Sequence, residues 1–492
     1  MRRCIDQIRE QSLHQCITYS ETSEFKSSNT RFHRSLRYYL PITNPSTIYY
    51  YYPPCKETTL AAYIKRHKPY ISPTYDPTID LYQYMKKYKL VVTPWDEETY
   101  ISSMKPAFKQ VLYRAALEEY HSDGRLRVSI RPFTKIEKMK ATKYKAPRMI
   151  QARQPIFNIK YGRYIKALEH ASIAHKKIGL HLGKGTLSQI SQKFDKLRRK
   201  YSWYTEGDHK SFDAHVTTEH KRALHKHYQA CFGHNSELRE LSRKTINNKC
   251  RTLHGDSYTV QGTVMSGDVD TAYGNCRINL AILEAALDRL WIRGEAIVNG
   301  DDFVLFTDRP IPTLAMKSLL ATFNMECELQ PSTTCITDVS FCGSKLCMME
   351  GGEMLLFHTP EKILDTFGMT HRVEVPRDKY LTDLATCFAY MEAHNPIGHA
   401  FAKAFNINVD PSNIPQLTTL ESKLQYILSN LKIPSFSTGI ITESMYRAYP
   451  SIDDWINKIH SLPSLIKTNT STHPSSVYIN HDNETIHVQK IL

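Results

Sequence analysis

Three aspartates in two separate segments carry the strongest chemical signal of the sequence. Asp301 and Asp302 lie in the stretch Ala296 to Phe306 (AIVNGDDFVLF), where two β-prone runs flank a turn. Asp208 ends an aromatic-rich run that reads as another strand. Carboxylates on adjacent strands can hold two divalent cations about 4 Å apart, the arrangement used for in-line nucleotidyl transfer.

The type of ligand indicates the type of metal. Hard cations such as Mg²⁺, with Mn²⁺ as an alternative, prefer a few carboxylates completed by substrate phosphate oxygens. Taken alone, however, a Gly-Asp-Asp triplet is also typical of a solvated turn, because two adjacent unpaired charges are costly to bury. The metal-site hypothesis therefore depends on what accompanies the triplet.

Short polar side chains in two further segments could read a ribose hydroxyl. Asp213 follows Asp208 by five residues, and Thr217 or Thr218 can cap a helix just beyond it. The other candidates precede or begin a long amphipathic helix predicted between residues 269 and 292; they are Ser266, Thr271 and Asn275.

Positive charge is concentrated in one window. The chain has a net charge of +15, and the segment Arg131 to Lys200 alone contains 19 Lys and Arg against three acids. Such an excess implies a polyanionic partner, either nucleic acid or an acidic membrane surface. Prolines within and just after its densest part, Lys143 to Arg153, predict extended backbone there. Three of its cations could contact a triphosphate and RNA backbone: Lys145, Arg148 and Arg153.

The order of these motifs resembles motifs A, B and C of the RNA-dependent RNA polymerases of positive-strand RNA viruses. Their details are similar to those of the tombusvirus family and its relatives. The matching segments are Asp208 to Asp213, Ser266 to Cys276 and Gly300 to Asp302, with Lys145 to Arg153 similar to the basic fingers motif and Phe341 to Lys345 to motif E. The resemblance covers roughly residues 135 to 350.

The resemblance implies template-directed RNA synthesis on an RNA template, replicating a viral RNA genome. It implies that Asp208 and Asp301 ligate two metal ions and that Asp302 supports the site. Selection of the ribonucleotide would then involve Asp213, Asn275 and either Ser266 or Thr271. The remaining implied contacts are Lys145, Arg148 and Arg153 with the triphosphate and template, and residues 341 to 345 with the nascent 3′ end.

The implied fold is α+β, a right-hand polymerase with an antiparallel palm sheet, and the order of strand, helix and hairpin agrees with that class. The predicted domains are an N-terminal arm (1–57), fingers (58–204), a first palm segment (205–216), a fingers insertion (217–257), a second palm segment (258–350), a thumb (351–463) and a loose C-terminal tail (464–492). A tyrosine-rich run at Tyr49 to Tyr52 predicts either a packed extended arm or a base-stacking surface.

The expected partners are template and nascent RNA, nucleoside triphosphates, and viral or host replication proteins that anchor to membranes. No apolar run approaches the roughly 20 residues that span a bilayer, so we expect location in the host cytoplasm, on membrane-associated replication complexes reached through partners. The 11 cysteines include no CxxC pair, which favours reduced thiols over a zinc site.

One departure from the family concerns a lysine that follows the Gly-Asp-Asp hairpin in many relatives and is a candidate acid for pyrophosphate. No lysine lies between Lys317 and Lys345, and the corresponding position falls in the acidic stretch Glu326 to Glu328. Either flanking lysine, or metal-bound water, would have to take that role.

Two functions other than RNA-dependent RNA synthesis would explain some of these features. A reverse transcriptase also uses palm aspartates, but Asp213 with Asn275 favours ribonucleotides. A non-enzymatic RNA-binding or nucleocapsid protein would explain the positive charge, yet an anion-binding surface has no use for the clustered carboxylates Asp208, Asp301 and Asp302.

Overall fold

The computed structural model describes residues 17–20, 36–40, 49–52, 55–105, 107–140, 143–372, 374–470, 473–480 and 485–490. These residues form a mixed α+β structure in which nearly all strand pairs are antiparallel. No described helix is both long enough and apolar enough to cross a membrane.

The helices of the described residues concentrate in the first half of the chain and again near its end. In chain order they are α1 (Lys56–Ala62), α2 (Tyr82–Met85), α3 (Glu97–Ser102), α4 (Ala107–Asp123), α5 (Pro155–Ala174), α6 (Leu187–Arg198), α7 (Phe212–His215), α8 (Thr218–Cys231), α9 (Ser236–Arg243), α10 (Thr271–Arg289), α11 (Thr313–Thr322), α12 (Pro360–Asp365), α13 (Arg377–Met391), α14 (Pro396–Ala404), α15 (Ser422–Ser429), α16 (Glu443–Ala448) and α17 (Ile452–Thr468).

The strands are short and cluster in the middle of the chain. They are β1 (Ile17–Ser20), β2 (Leu36–Tyr38), β3 (Tyr49–Tyr50), β4 (Ile130–Thr134), β5 (Met139–Lys140), β6 (Met149–Arg153), β7 (Trp203–His209), β8 (Asn247–Arg251), β9 (Ser257–Gln261), β10 (Gly294–Asn299), β11 (Asp302–Thr307), β12 (Cys327–Leu329), β13 (Ser340–Phe341), β14 (Ser344–Met348), β15 (Met354–His358), β16 (Met369–Thr370), β17 (His473–Asn480) and β18 (Thr485–Lys490).

A four-stranded antiparallel sheet, the carboxylate sheet, carries the three predicted aspartates. Its strand order is β10-β11-β7-β12. Side chains of β11 alternate between two apolar layers, as period-two backbone requires: Phe303 and Leu305 belong to the same buried cluster as α10, whereas Val304 and Phe306 pack with Phe194 of α6. Helices therefore cover both faces of the sheet and fix its strands in place.

A five-stranded sheet, the basic-strand sheet, has the order β1-β9-β8-β4-β6. Strand β6 ends the dense basic segment, and its extended backbone confirms the prediction from the prolines. Pro155 then opens α5, because the first position of a helix needs no backbone donor. The basic segment thus leads from an exposed loop into a packed helix.

The tyrosine-rich run packs against the protein. Tyr49–Tyr50 pairs with Met139–Lys140, all four tyrosines from Tyr49 to Tyr52 are buried, and the Tyr52 hydroxyl donates to the backbone carbonyl of Lys145. The packed-arm alternative is confirmed, and the run contacts the basic segment through Tyr52 and Lys145.

The C-terminal prediction of a loose tail is wrong for the described residues. Helix α17 continues to Thr468 despite the internal Pro463. Strands β17 and β18 then form an antiparallel hairpin, and β17 also pairs with β2 near the other end of the chain. The prediction gave weight to Ser, Thr and Asn content, but β-branched residues between them favour strands once a partner edge is present.

Candidate active site

Asp208 and Asp302 lie directly opposite each other on neighbouring strands, and Glu328 lies opposite Asp208 on the other side. Residues paired in this way project from the same face of an antiparallel sheet. The three carboxylates therefore form one row across β11, β7 and β12, with Asp301 in the turn that precedes Asp302. This row is the structural form of the predicted Asp208–Asp301–Asp302 site, enlarged by one acid.

The turn that carries Asp301 is tight. Asn299 pairs with Asp302, which leaves only Gly300 and Asp301 as the loop. Gly300 has φ of +65°, as expected where a two-residue hairpin turn places glycine first. The backbone N–H of His209 donates to the Asp301 carbonyl at 3.3 Å, so the turn is attached to the strand of Asp208.

Burial raises the pKa values of all three aspartates, and neighbouring carboxylates add to the effect at Asp208 and Asp301. Burial, followed by the charges of Asp301, Asp302 and Glu328, raises the pKa of Asp208 to about 6. Burial is also the main cause of the raised pKa values of Asp301 and Asp302. Concentrated negative charge in a partly dehydrated site is relieved by a bound divalent cation.

The donor set fits Mg²⁺ or Mn²⁺. Within the described residues, no group of three or more His, Cys, Asp or Glu side chains is close enough to hold an ion by itself. Mg²⁺ sites commonly use one or two carboxylates together with substrate phosphate oxygens. Asp208, Asp301 and Asp302 supply hard oxygen ligands of this kind.

Two of the three predicted cations face the carboxylates. Lys145 is exposed and close enough to lower the pKa of Asp208, and Arg148 interacts electrostatically with Asp301. The Arg148 guanidinium is held by Glu137, which accepts from Nε at 2.7 and 3.0 Å. Two cations of the basic segment thus lie near enough to the carboxylates to interact with them electrostatically.

The structure places Arg153 differently from the sequence prediction. Its side chain is only 1% exposed and donates to Asp268 at 2.5 and 3.1 Å and to Asn248 at 2.6 Å. A guanidinium with these buried partners is not presented to a phosphate. Arg153 instead joins strand β6 to the loop that carries Ser266, because the alternation of β6 turns it inward.

The predicted sugar-reading residues separate into two groups. Asn275 Nδ2 donates to Asp213 Oδ1 at 2.7 Å, and Ser266 lies close enough to lower the pKa of Asp213. Thr271, by contrast, donates to the carbonyl of Met265 at 3.0 Å and so stabilises its own loop. Of the two alternatives left by the sequence, the structure brings Ser266 to Asp213.

Asp213 is partly buried, and burial raises its pKa to about 6 even though Asn275 and Ser266 lower it. Asn275 Oδ1 is buried and has no hydrogen-bond partner among the residues that the structure describes. A buried acceptor without a donor is costly, so this oxygen is the acceptor of the pair that remains to be satisfied.

The hairpin formed by β13 and β14, which contains residues 341 to 345, lies against the Gly-Asp-Asp turn. Asn299 Nδ2 approaches Cys342 Sγ at 3.3 Å, and Cys342 also hydrogen-bonds Asp302. The predicted motif E therefore borders the carboxylate row.

The lysines around the acidic stretch lie in different places. Lys317 lines a cleft of about 540 Å³ that also contains Lys210, whereas Lys345 reaches the carbonyl of Ala448 at 3.4 Å. Lys210 was missed by the sequence reasoning; it lies 2.8 Å from Glu326 and 3.7 Å from Glu328. Its position two residues after Asp208 is the signal that could have identified it.

Comparison with known proteins shows the family of the chain. The family described as viral RNA dependent RNA polymerase matches residues 80–444, about three-quarters of the chain, and the chain belongs to this family.

Similar proteins include the RNA-directed RNA polymerases of three plant viruses. The polymerase of maize chlorotic mottle virus is 27% identical over 62% of this chain and 33% of its own length. That of melon necrotic spot virus is 31% identical over 48% and 32%. That of turnip crinkle virus is 34% identical over 44% and 29%. The matched part thus spans about a third of the length of these relatives.

Proposed function

We propose that this chain is an RNA-directed RNA polymerase that copies a viral RNA genome, with fingers, palm and thumb arranged as a right hand and divided at the boundaries predicted from the sequence, except that the thumb extends to the end of α17 at Thr468. The observation that carries the proposal is the direct pairing of Asp208 with Asp302 beside Asp301. Lys145 and Arg148 face this carboxylate row from the basic segment. An RNA-binding protein without catalysis would have no use for this arrangement.

Asp208, Asp301 and Asp302 would hold two Mg²⁺ or Mn²⁺ ions. When bound, the ions lower the barrier to attack of a ribose 3′-hydroxyl on the α-phosphate and neutralise charge on the leaving pyrophosphate. Arg148, already oriented by Glu137, can grip phosphate oxygens through its planar guanidinium. Lys145 adds an exposed ammonium on the same side.

Asp213, Asn275 and Ser266 would select the ribonucleotide. Asn275 Oδ1, which has no hydrogen-bond partner among the described residues, would accept a hydrogen bond from the 2′-hydroxyl, while Asp213 fixes the orientation of the amide. A site built to bind a hydroxyl rejects an analogue that lacks it, because its buried polar atoms are then left unpaired.

The partners of this polymerase would be template and nascent RNA and nucleoside triphosphates. We also propose that viral or host proteins attach it to membrane-associated replication complexes in the host cytoplasm.

Primer extension tests the function directly. Purified chain is incubated with a primed RNA template, with an unprimed template, and with ribo- or deoxynucleoside triphosphates, each with Mg²⁺ or with chelator. We expect complementary RNA only with ribonucleotides and metal. Failure of both template formats, or equal incorporation of deoxynucleotides, would overturn the proposal.

A further inference from the structure

His209, the residue after Asp208, points away from the carboxylate row into the protein. It is 2% exposed and lies between the rings of Phe212 and Phe303. Its Nε2 lies 2.8 Å from Oδ1 of Asn279, a residue of α10 that is fully buried. The other ring nitrogen, Nδ1, is buried without a hydrogen-bond partner among the described residues, so the contact with Asn279 is the polar contact that orients the ring.

The Asn279 amide joins two segments. Its Nδ2 donates to the carbonyl of Gly300 at 2.9 Å, which fixes the amide orientation because a carbonyl can only accept. Oδ1 must then accept, so His209 donates from Nε2. The result is a chain of bonds from the strand of Asp208, through α10, to the turn of Asp301.

Helix α10 also holds the other backbone group of Gly300, whose N–H lies 3.2 Å from Cys276 Sγ. Cys276 and Asn279 lie about one helical turn apart on α10. Together they contact both backbone polar groups of Gly300, the glycine of the hairpin turn. The direct bond from the His209 N–H to the Asp301 carbonyl closes the connection.

We propose that His209 and Asn279 are positioning residues that fix the separation of Asp208 and Asp301 and thereby set the affinity of the site for divalent metal. The inference rests on the proposed two-metal function. Neither residue touches substrate; they act through the backbone of the turn. Groups behind metal ligands commonly change metal affinity or activity by 10- to 100-fold when removed.

Mn²⁺ binding tests this without catalysis. Free Mn²⁺ is measured by electron paramagnetic resonance during titration of the folded protein, and thermal unfolding is recorded for each variant. We expect Asn279→Leu, which keeps the volume and removes both bonds, to raise the half-saturating Mn²⁺ concentration about tenfold. Asn279→Asp keeps the acceptor for His209 but loses the donor to Gly300. It replaces Asn279→Leu in the titration if the Leu variant fails to fold.

His209 provides the complementary pair of variants. His209→Gln retains a donor near the Nε2 position and should bind Mn²⁺ nearly as well as the wild type, whereas His209→Leu should resemble Asn279→Leu. The variant that carries both His209→Leu and Asn279→Leu should bind Mn²⁺ no more weakly than either single Leu variant, because the two residues act as one unit. The Michaelis constant for nucleotides at saturating metal should stay unchanged throughout.

Tyr273→Phe is the matched control, since it removes a buried hydroxyl of the same helix that bonds Ser172 and Arg277 rather than the turn. Equal loss of Mn²⁺ affinity in this control, or unchanged affinity in folded Asn279 variants, would overturn the inference. If instead the proposed polymerase function were wrong, the result would be different, because the wild type would then bind Mn²⁺ yet make no RNA.

Discussion

Asn275 donates a 2.7 Å hydrogen bond to the partly buried carboxylate of Asp213, across 62 residues of sequence. The bond joins the start of α10 to the segment that follows Asp208. It leaves Asn275 Oδ1 buried and without a hydrogen-bond partner among the described residues, and that oxygen is one acceptor of the pair that a ribose hydroxyl could satisfy.

Asn275→Ala should weaken discrimination against deoxynucleotides by roughly 10- to 100-fold, the value of one hydrogen bond in a buried, charged setting. The measurement is the ratio of kcat/KM for a ribonucleotide and its deoxy analogue. Thr271→Val is the control; its hydroxyl serves the loop backbone, and its ratio should match the wild type. An unchanged ratio in Asn275→Ala would refute the sugar-reading role.

Asp301→Asn should abolish RNA synthesis while RNA affinity stays nearly normal, because the metal ligand is lost and the basic segment is intact. Asp208→Ala should behave in the same way, and the two defects should not add because both act through one site. Primer extension and RNA-binding titration measure the two properties separately. Near-normal turnover in either variant would contradict the two-metal assignment.

Arg148→Ala and Arg153→Ala should have different effects although only five residues separate them. Arg148 is exposed towards the site, so its loss should raise the Michaelis constant for nucleotides with little change in unfolding temperature. Arg153 is buried with Asp268, and removal of one partner of such a pair destabilises by about 3–5 kcal/mol. Urea unfolding measures the stability of each variant, and nucleotide kinetics measure its Michaelis constant. If Arg153→Ala raised the Michaelis constant and Arg148→Ala lowered the stability, Arg153 would contact the nucleotide, as the sequence predicts.

Stability should depend on pH through the ion pair of His358 and Glu392, which lie 3.0 Å apart. Glu392 raises the pKa of His358; burial alone would raise the pKa of Glu392, but His358 and His394 hold it below its usual value. The His358 contribution is complete below its unfolded pKa of 6.5 and is lost as pH rises through the raised folded value.

The Glu392 contribution is present above its unfolded pKa of 4.5 and is lost as pH falls through the lowered folded value. The pair therefore stabilises most between about pH 4.5 and 6.5. His358→Gln should flatten the dependence of unfolding temperature on pH above this window. An identical pH profile in the variant would exclude the pair as its cause.

The sequence by itself determined the local chemistry. The β-prone runs around Gly300 specify a hairpin with Asp301 at its turn, and the prolines near Arg148 specify extended backbone. Both follow from the conformational limits of a few adjacent residues, and the order of the motifs was sufficient to indicate the family.

Tertiary structure decided which side chains meet. Alternation along β6 turned Arg153 towards Asp268 rather than towards a phosphate, and strand register placed Glu328 beside Asp208. The connection between His209 and Asn279 spans 70 residues, and no local pattern marks either residue. Such contacts depend on the packing of α10 against the carboxylate sheet, because the free energy of a buried hydrogen bond is set by what surrounds it.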